Sequence, residues 1–325
     1  MTASADHIKA LVRAHAVGDE SGFYSVALQM AAQAARRGQN HFAQDLKALI
    51  DEAKAERLPR VVPTPVVAPR GELADLVTAE YPDIRLADMT LAADTREKLR
   101  QVLLEQRQRD RLEQHGFAPI HRLLLSGPPG TGKSMTASVL ATELGLPLFT
   151  IRLDALISKY MGETSGKLRV IFDATVRTRA VYLFDEFDAI GAQRTVGNDV
   201  GEARRILNTF LLFLDDTQPE SLVVAATNHR ALLDTALFRR FDSVIAYSLP
   251  DSKEALDVLR RRLGAVNTSE VFWSEVSNHV SDLSQAELVR AAEAAAKRAI
   301  LDASESVTTV ALITALDARR TAHHD

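Results

Sequence analysis

The run Gly127-Pro128-Pro129-Gly130-Thr131-Gly132-Lys133-Ser134 combines residue types that together can hold a polyphosphate. Its glycines let the backbone approach an anion closely, so that successive N–H groups and a helix start can face it. Lys133 can reach the β- and γ-phosphates, and Ser134 can offer its hydroxyl to Mg²⁺. Contacts with a nucleotide are expected from every residue of this run and from Met135. Such a loop works only between a strand and a helix. Before it stands the short apolar run Leu123-Leu124-Leu125; after it Met135, Val139, Leu140 and Leu144 recur at helical spacing. The three parts together imply a nucleotide-binding site.

A second element decides what kind. "VYLFDEFDAIG" reads as a buried strand ending in Asp185-Glu186. Asp185 would sit near Ser134 and hold the metal, and Glu186 would orient or activate the attacking water. Asp188, one turn onward, reads as a helix-start acid. A third strand, "LVVAATN", ends in Thr227-Asn228 at the carboxyl edge where open sheets bind ligands, and Asn228 could hold the water against Glu186. In "LLDTALFRRFDSVI", Arg239 and Arg240 suggest guanidinium groups supplied across a subunit boundary, a contact worth about 10³–10⁵ in rate.

The elements that must position these residues follow from pattern. At 325 residues the chain exceeds one compact core. Its 46% hydrophobic and 25% charged content is that of a soluble globular protein, and the absence of cysteine excludes disulfides and thiolate metal sites. A net charge of -4 argues against a nucleic-acid coat, and no apolar run approaches membrane-spanning length, so a cytoplasmic protein is expected. "LPRVVPTPVVAPR" (Leu58 to Arg70) predicts an extended linker over 59–70 after a small helical domain over 1–58. An α/β nucleotide-binding domain is expected over 71–250, with helical segments at Glu72–Ala79 and Thr95–Leu112. Further strands are expected at Leu148–Leu153, Val181–Phe184, Leu222–Ala226 and Ser243–Tyr247, making a parallel sheet flanked by helices. Past Pro250 only helical patterns remain, predicting a helical bundle over 251–325.

The ordered set "GPPGTGKS", "SKYMGET", "LFDEFDAIGAQR", "AATN" and "ALFRRFD" resembles the classical AAA branch of the AAA+ superfamily, which includes katanin, spastin and the ring unfoldases. The resemblance covers about residues 72–300. It implies a P-loop NTPase fold, ATP and Mg²⁺ as cofactors, a γ-phosphate sensor at Asn228, and Arg239 and Arg240 as fingers acting in trans, here adjacent in sequence. In the family an aromatic-apolar-glycine triplet at the place of Tyr160, Met161 and Gly162 lines a central pore and grips polypeptide, with Lys159 beside it. A second pore-facing loop would lie near Thr195–Glu202, with Arg204 and Arg205 at the subunit interface. The bundle resembles the family's lid, where "SQAEL" stands for "SGADL": Gln285 replaces the usual glycine and Ala286 would contact adenine.

The resemblance thus implies a homo-hexameric ring that hydrolyses ATP between subunits and threads polypeptide past Tyr160. The N-terminal helices look like an adaptor module, and a further similarity to bacterial AAA proteins encoded beside subtilisin-like proteases points to a separate protease as partner. Two other readings are a DNA-linked ATPase, such as a loader or transposition regulator, and a non-translocating assembly switch. Neither a basic pore nor a helix-turn-helix is visible to favour the first, and nucleic acid is not the expected partner.

Overall fold

The computed structural model describes Ala27, Met30, Pro69 and residues 71–321, except 157–160, 189–199, 218–219, 230–234, 303 and 305; the side chains of 161–162, 200–205 and 235–236 are also not described. The chain divides into two units, Met1–Val62 and Pro63–Asp325. The expected helical domain over 1–58 and the linker over 59–70 lie outside the described residues apart from Ala27, Met30 and Pro69.

The second unit is built on a six-stranded sheet of order β1-β3-β4-β5-β2-β6. Its strands are β1 (Val77–Glu80), β2 (Arg122–Ser126), β3 (Leu148–Ile151), β4 (Val181–Phe184), β5 (Leu222–Thr227) and β6 (Ser243–Ala246). The central strands are apolar without alternation because both faces are covered; every residue of β4 and β5 is buried. One face packs under α1 (Glu72–Leu76), α2 (Met161–Arg177) and α3 (Val200–Asp216). The other packs under α4 (Ala93–Arg107) and α5 (Lys133–Leu144).

The edge strand corrects the helical expectation over Glu72–Ala79. The helix stops at Leu76, and Val77–Glu80 pair antiparallel with Leu148–Ile151. Val77 and Thr78 are β-branched, and the strand offers an open ladder, so pairing outcompetes another helical turn. The expected strand at Leu148–Leu153 ends at Ile151, since Leu153 opens the short helix Leu153–Leu156. The helix expected over Thr95–Leu112 breaks at Gln108 into Ala93–Arg107 and Arg109–Gln114.

After Pro250 the chain makes the expected helical bundle. Ser252–Arg262, Gln285–Leu301 and Thr309–Thr321 share a core of Leu259, Leu288, Ala292, Leu312 and Leu316. Reciprocal capping boxes fix two starts: Asp251 with Glu254, and Ser284 with Glu287. Each cap contributes about 1 kcal/mol.

Candidate active site

Strand order places the site. β5 lies between β4 and β2, so the carboxyl ends of all three meet at one edge. The register pairs Ser126 with Thr227 and Phe184 with Ala225. The three sequence elements that end these strands are thereby neighbours in space.

The loop after β2 has the backbone its glycines predict. Gly127, Gly130 and Gly132 all have positive φ. A Cβ on Gly127 would stand 2.3 Å from the Tyr247 carbonyl oxygen, and one on Gly130 would stand 2.6 Å from Ser284 Oγ. Thr131 is buried and its Oγ1 donates to the Pro128 carbonyl at 2.8 Å, closing the loop on itself. Helix α5 begins at Lys133 with Gly132 as its cap, so the N–H groups of its first turn lack helical partners and face the loop.

Lys133 is 6% exposed, and its Nζ donates to the carbonyls of Gly127 at 2.8 Å and Pro128 at 2.7 Å. Burial lowers its pKa from the usual lysine value, and the carboxylates of Asp185 and Asp188 oppose that shift. Ser134 Oγ donates to Asp185 Oδ2 at 2.6 Å, so the expected pair does meet across the two strand ends. A hydroxyl and a carboxylate this close are hard oxygen donors of the kind Mg²⁺ takes beside phosphate oxygens and water. Met135 remains exposed at the mouth of the helix.

Glu186 is exposed and holds φ at 48°, a left-handed conformation uncommon for a non-glycine residue. The turn is locked from both sides. The Glu186 N–H donates to Asp185 Oδ1 at 2.9 Å, and the Phe187 N–H donates to the Ala226 carbonyl at 2.8 Å. Phe187 is wholly buried against Phe210 of α3, with ring centroids 4.7 Å apart. Phe210 also packs on Phe184 and on Phe172 of α2. The carboxylate that would act on water therefore stands on an aromatic cluster shared with two helices.

Asp188 is the last described residue before 189–199, and it has a role that sequence reading missed. Its Oδ1 accepts from Thr227 Oγ1 at 3.0 Å and from the Asn228 N–H at 3.2 Å, so it fixes the strand end carrying Asn228. No spacing along the chain signals this contact, because its partners stand on another strand. Arg239 and Arg240 part company. Arg239 is exposed, whereas Arg240 Nη1 donates to the Leu211 carbonyl at 3.2 Å and forms an ion pair with Asp215 of the same chain. Ala286 reaches the loop: its N–H donates to the Gly130 carbonyl at 3.0 Å. Lys159 and Tyr160 lie outside the described residues; Met161 and Gly162 open α2 as backbone only, and Thr195–Asp199 are likewise outside.

Comparison with known proteins places this geometry. Residues 123–249 match the ATPase family associated with various cellular activities (AAA). A Sinorhizobium fredii protein named as an uncharacterized AAA family ATPase, y4kL, is 34% identical over 241 residues, spanning 72% of each chain. The ATP-dependent zinc metalloprotease FtsH 3 of Sphaerobacter thermophilus is 33% identical over 196 residues, 59% of this chain and 40% of that one. This chain thus spans well under half of that relative. Among solved structures, the FIGL-1 AAA domain superposes with a TM-score of 0.60 at 24% identity, covering 77% of this chain and 90% of that one, a likeness of fold.

Proposed function

Since the chain belongs to the AAA ATPase family and is an ATP hydrolase, we propose that it is a protein-remodelling or unfolding machine, working as a homo-hexameric ring in the cytoplasm. ATP with Mg²⁺ binds between subunits. Lys133 would hold the phosphates, and Ser134 and Asp185 would hold the metal, which would supply charge neutralisation at the phosphates. Glu186 takes the proton of the attacking water, and Asn228 orients that water and senses the γ-phosphate. Arg239 of the neighbouring subunit completes the charge stabilisation, while Arg240 braces its own subunit through Asp215.

The observation that carries this reading is the aromatic cluster under Glu186. Phe187 and Phe184 pack on Phe210 and Phe172, which lie on α3 and α2. Those helices begin within the two segments, 159–162 and 195–202, that the family resemblance makes pore loops. A shift of the Asp185-Glu186 turn during hydrolysis is transmitted through packed rings to both, because a close-packed core moves between arrangements rather than yielding locally. Tyr160 would then move along the pore axis and draw an extended polypeptide with it. Partners follow: a polypeptide client, and an adaptor or a separate subtilisin-like protease engaged by the N-terminal helices.

Mass photometry of Glu186→Gln with and without ATP tests the assembly on which this depends. Six-subunit particles formed with ATP support it; a species that stays monomeric at saturating ATP overturns it.

A further inference from the structure

Tyr247 directly follows β6 and is the last buried side chain before the chain leaves through Pro250 for the helical bundle. Its N–H donates to the Ser126 carbonyl at 2.7 Å, and its carbonyl oxygen occupies the space a Cβ on Gly127 would need. Its hydroxyl lies 2.5 Å from Thr136 Oγ1 in a buried contact. Thr136 Oγ1 donates in turn to the Gly132 carbonyl at 2.9 Å, the same oxygen that accepts the Thr136 N–H at 2.9 Å. Thr136 Oγ1 also has Met89 Sδ at 3.9 Å, and the Met89 methyl stands 3.1 Å from where a Cβ on Gly132 would be.

The direction of this chain is fixed by proton count. A hydroxyl carries one proton and a carbonyl none, so both protons are bonded only if Tyr247 donates to Thr136; the Thr136 proton then goes to the Gly132 carbonyl at 2.9 Å, a stronger and nearer acceptor than the Met89 sulfur at 3.9 Å. A phenol is protonated at neutral pH in any case, and burial pushes that of Tyr247 further up, to about 12. The Gly132 carbonyl and the Lys133 N–H are the two ends of one planar peptide group. Lys133 is the first residue of α5, so that N–H has no partner within the helix. Hydrogen bonds onto the carbonyl polarise the peptide and strengthen its N–H as a donor.

We propose that Tyr247 is a positioning residue of the phosphate loop, acting through Thr136 on the Gly132–Lys133 peptide to hold its N–H against a bound phosphate. Tyr247 touches both ends of the loop: Gly127 through its own backbone, Gly132 through the hydroxyl pair. It thereby joins the strand that leads to the lid with the loop the lid covers. A packing role alone would be filled by phenylalanine and valine, with no buried hydroxyls to satisfy. This inference rests on the reading of Gly127–Ser134 as the nucleotide's phosphate loop.

Tyr247→Phe and Thr136→Val each remove one hydroxyl and keep the shape. Binding of N-methylanthraniloyl-ATP, steady-state kcat and KM, and the thermal midpoint are measured for both, for the double variant, for Thr136→Ser and for Lys133→Ala. Tyr247→Phe is expected to weaken binding about three- to tenfold, the size of one buried hydrogen bond, with KM moving more than kcat. The double variant binds no more weakly than Thr136→Val, because Tyr247 acts only through Thr136. Thr136→Ser, which keeps the hydroxyl, binds within about twofold of the parent if the hydroxyl is what matters. The inference is overturned if Tyr247→Phe binds like the parent while Lys133→Ala has lost binding, or if the two single losses multiply in the double variant. If Lys133→Ala binds like the parent, the phosphate-loop reading falls and this inference falls with it. Should Thr136→Val fail to fold, Tyr247→Phe and Thr136→Ser decide between the same outcomes.

Discussion

The Asn228 N–H and the Thr227 hydroxyl both donate to one oxygen of Asp188, at 3.2 and 3.0 Å. A single carboxylate on the turn after β4 therefore sets where β5 ends, and with it where Asn228 stands. Asp188→Ala leaves these donors without that acceptor and lets the strand end shift. Turnover is expected to fall about ten- to hundredfold, the scale of a misplaced catalytic group, with ATP affinity nearly unchanged. Asp188→Asn keeps a carbonyl acceptor at the same place and retains most activity. Steady-state kinetics of the two variants check this; equal losses in kcat would show that charge rather than position matters.

Glu186 stands at a strained turn, exposed beside Asp185. Glu186→Gln keeps the shape and removes the proposed base, so kcat is expected to fall about 10²–10⁴-fold while ATP still binds. Single-turnover hydrolysis beside equilibrium binding separates the two effects. Normal turnover would remove Glu186 from its role.

The two adjacent arginines should fail differently. Arg239→Ala is expected to lose about 10³-fold in turnover with nucleotide affinity retained, since the group it loses acts on a neighbour's transition state. Arg240→Ala breaks a partly exposed pair with Asp215, worth under about 1 kcal/mol, and its effect should be reproduced by Asp215→Asn. Mixed-subunit assays, in which Arg239→Ala is combined with Lys133→Ala, add a direct check. Partial recovery of hydrolysis is expected, because only the parental halves of each variant then form a whole site.

The lysine also predicts a pH dependence. Burial first of all lowers the Lys133 pKa in the free protein below 10.5, and bound phosphates raise it again. Affinity for ATP should begin to fall as pH rises through the lowered pKa of the free protein, and keep falling until the pKa of the complex is passed. Lys133→Met binds weakly and shows no such decline. Titrations between pH 7 and 10.5 measure it, and a parallel pH response in both proteins would assign the effect elsewhere.

Much of the site was legible because its chemistry is local in sequence. The phosphate loop needs glycines, a lysine and a serine within a few residues, and the buried strands Val181–Phe184 and Leu222–Thr227 announce their polar ends. The edge strand was not legible: Leu73, Leu76 and Val77 suit either period, and only the partner at Leu148–Ile151 decides between them. Asp188 and Tyr247 were missed for a related reason. Each acts on another element, Asp188 on Asn228 at the end of β5 and Tyr247 on Thr136 of α5, and no spacing along the chain reports a hydrogen bond to a distant element. The difference between Arg239 and Arg240 likewise needed Asp215, which stands on another element.

The central claim, that hydrolysis moves polypeptide past Tyr160, is tested most directly with the Glu186→Gln variant held in ATP. It is purified from its own host with and without nuclease, alone and combined with Tyr160→Ala, and the retained material is identified by mass spectrometry. A discrete set of proteins, indifferent to nuclease and lost on adding Tyr160→Ala, is the predicted result. Equal retention with and without Tyr160, or retention of nuclease-sensitive nucleic acid, would contradict the account.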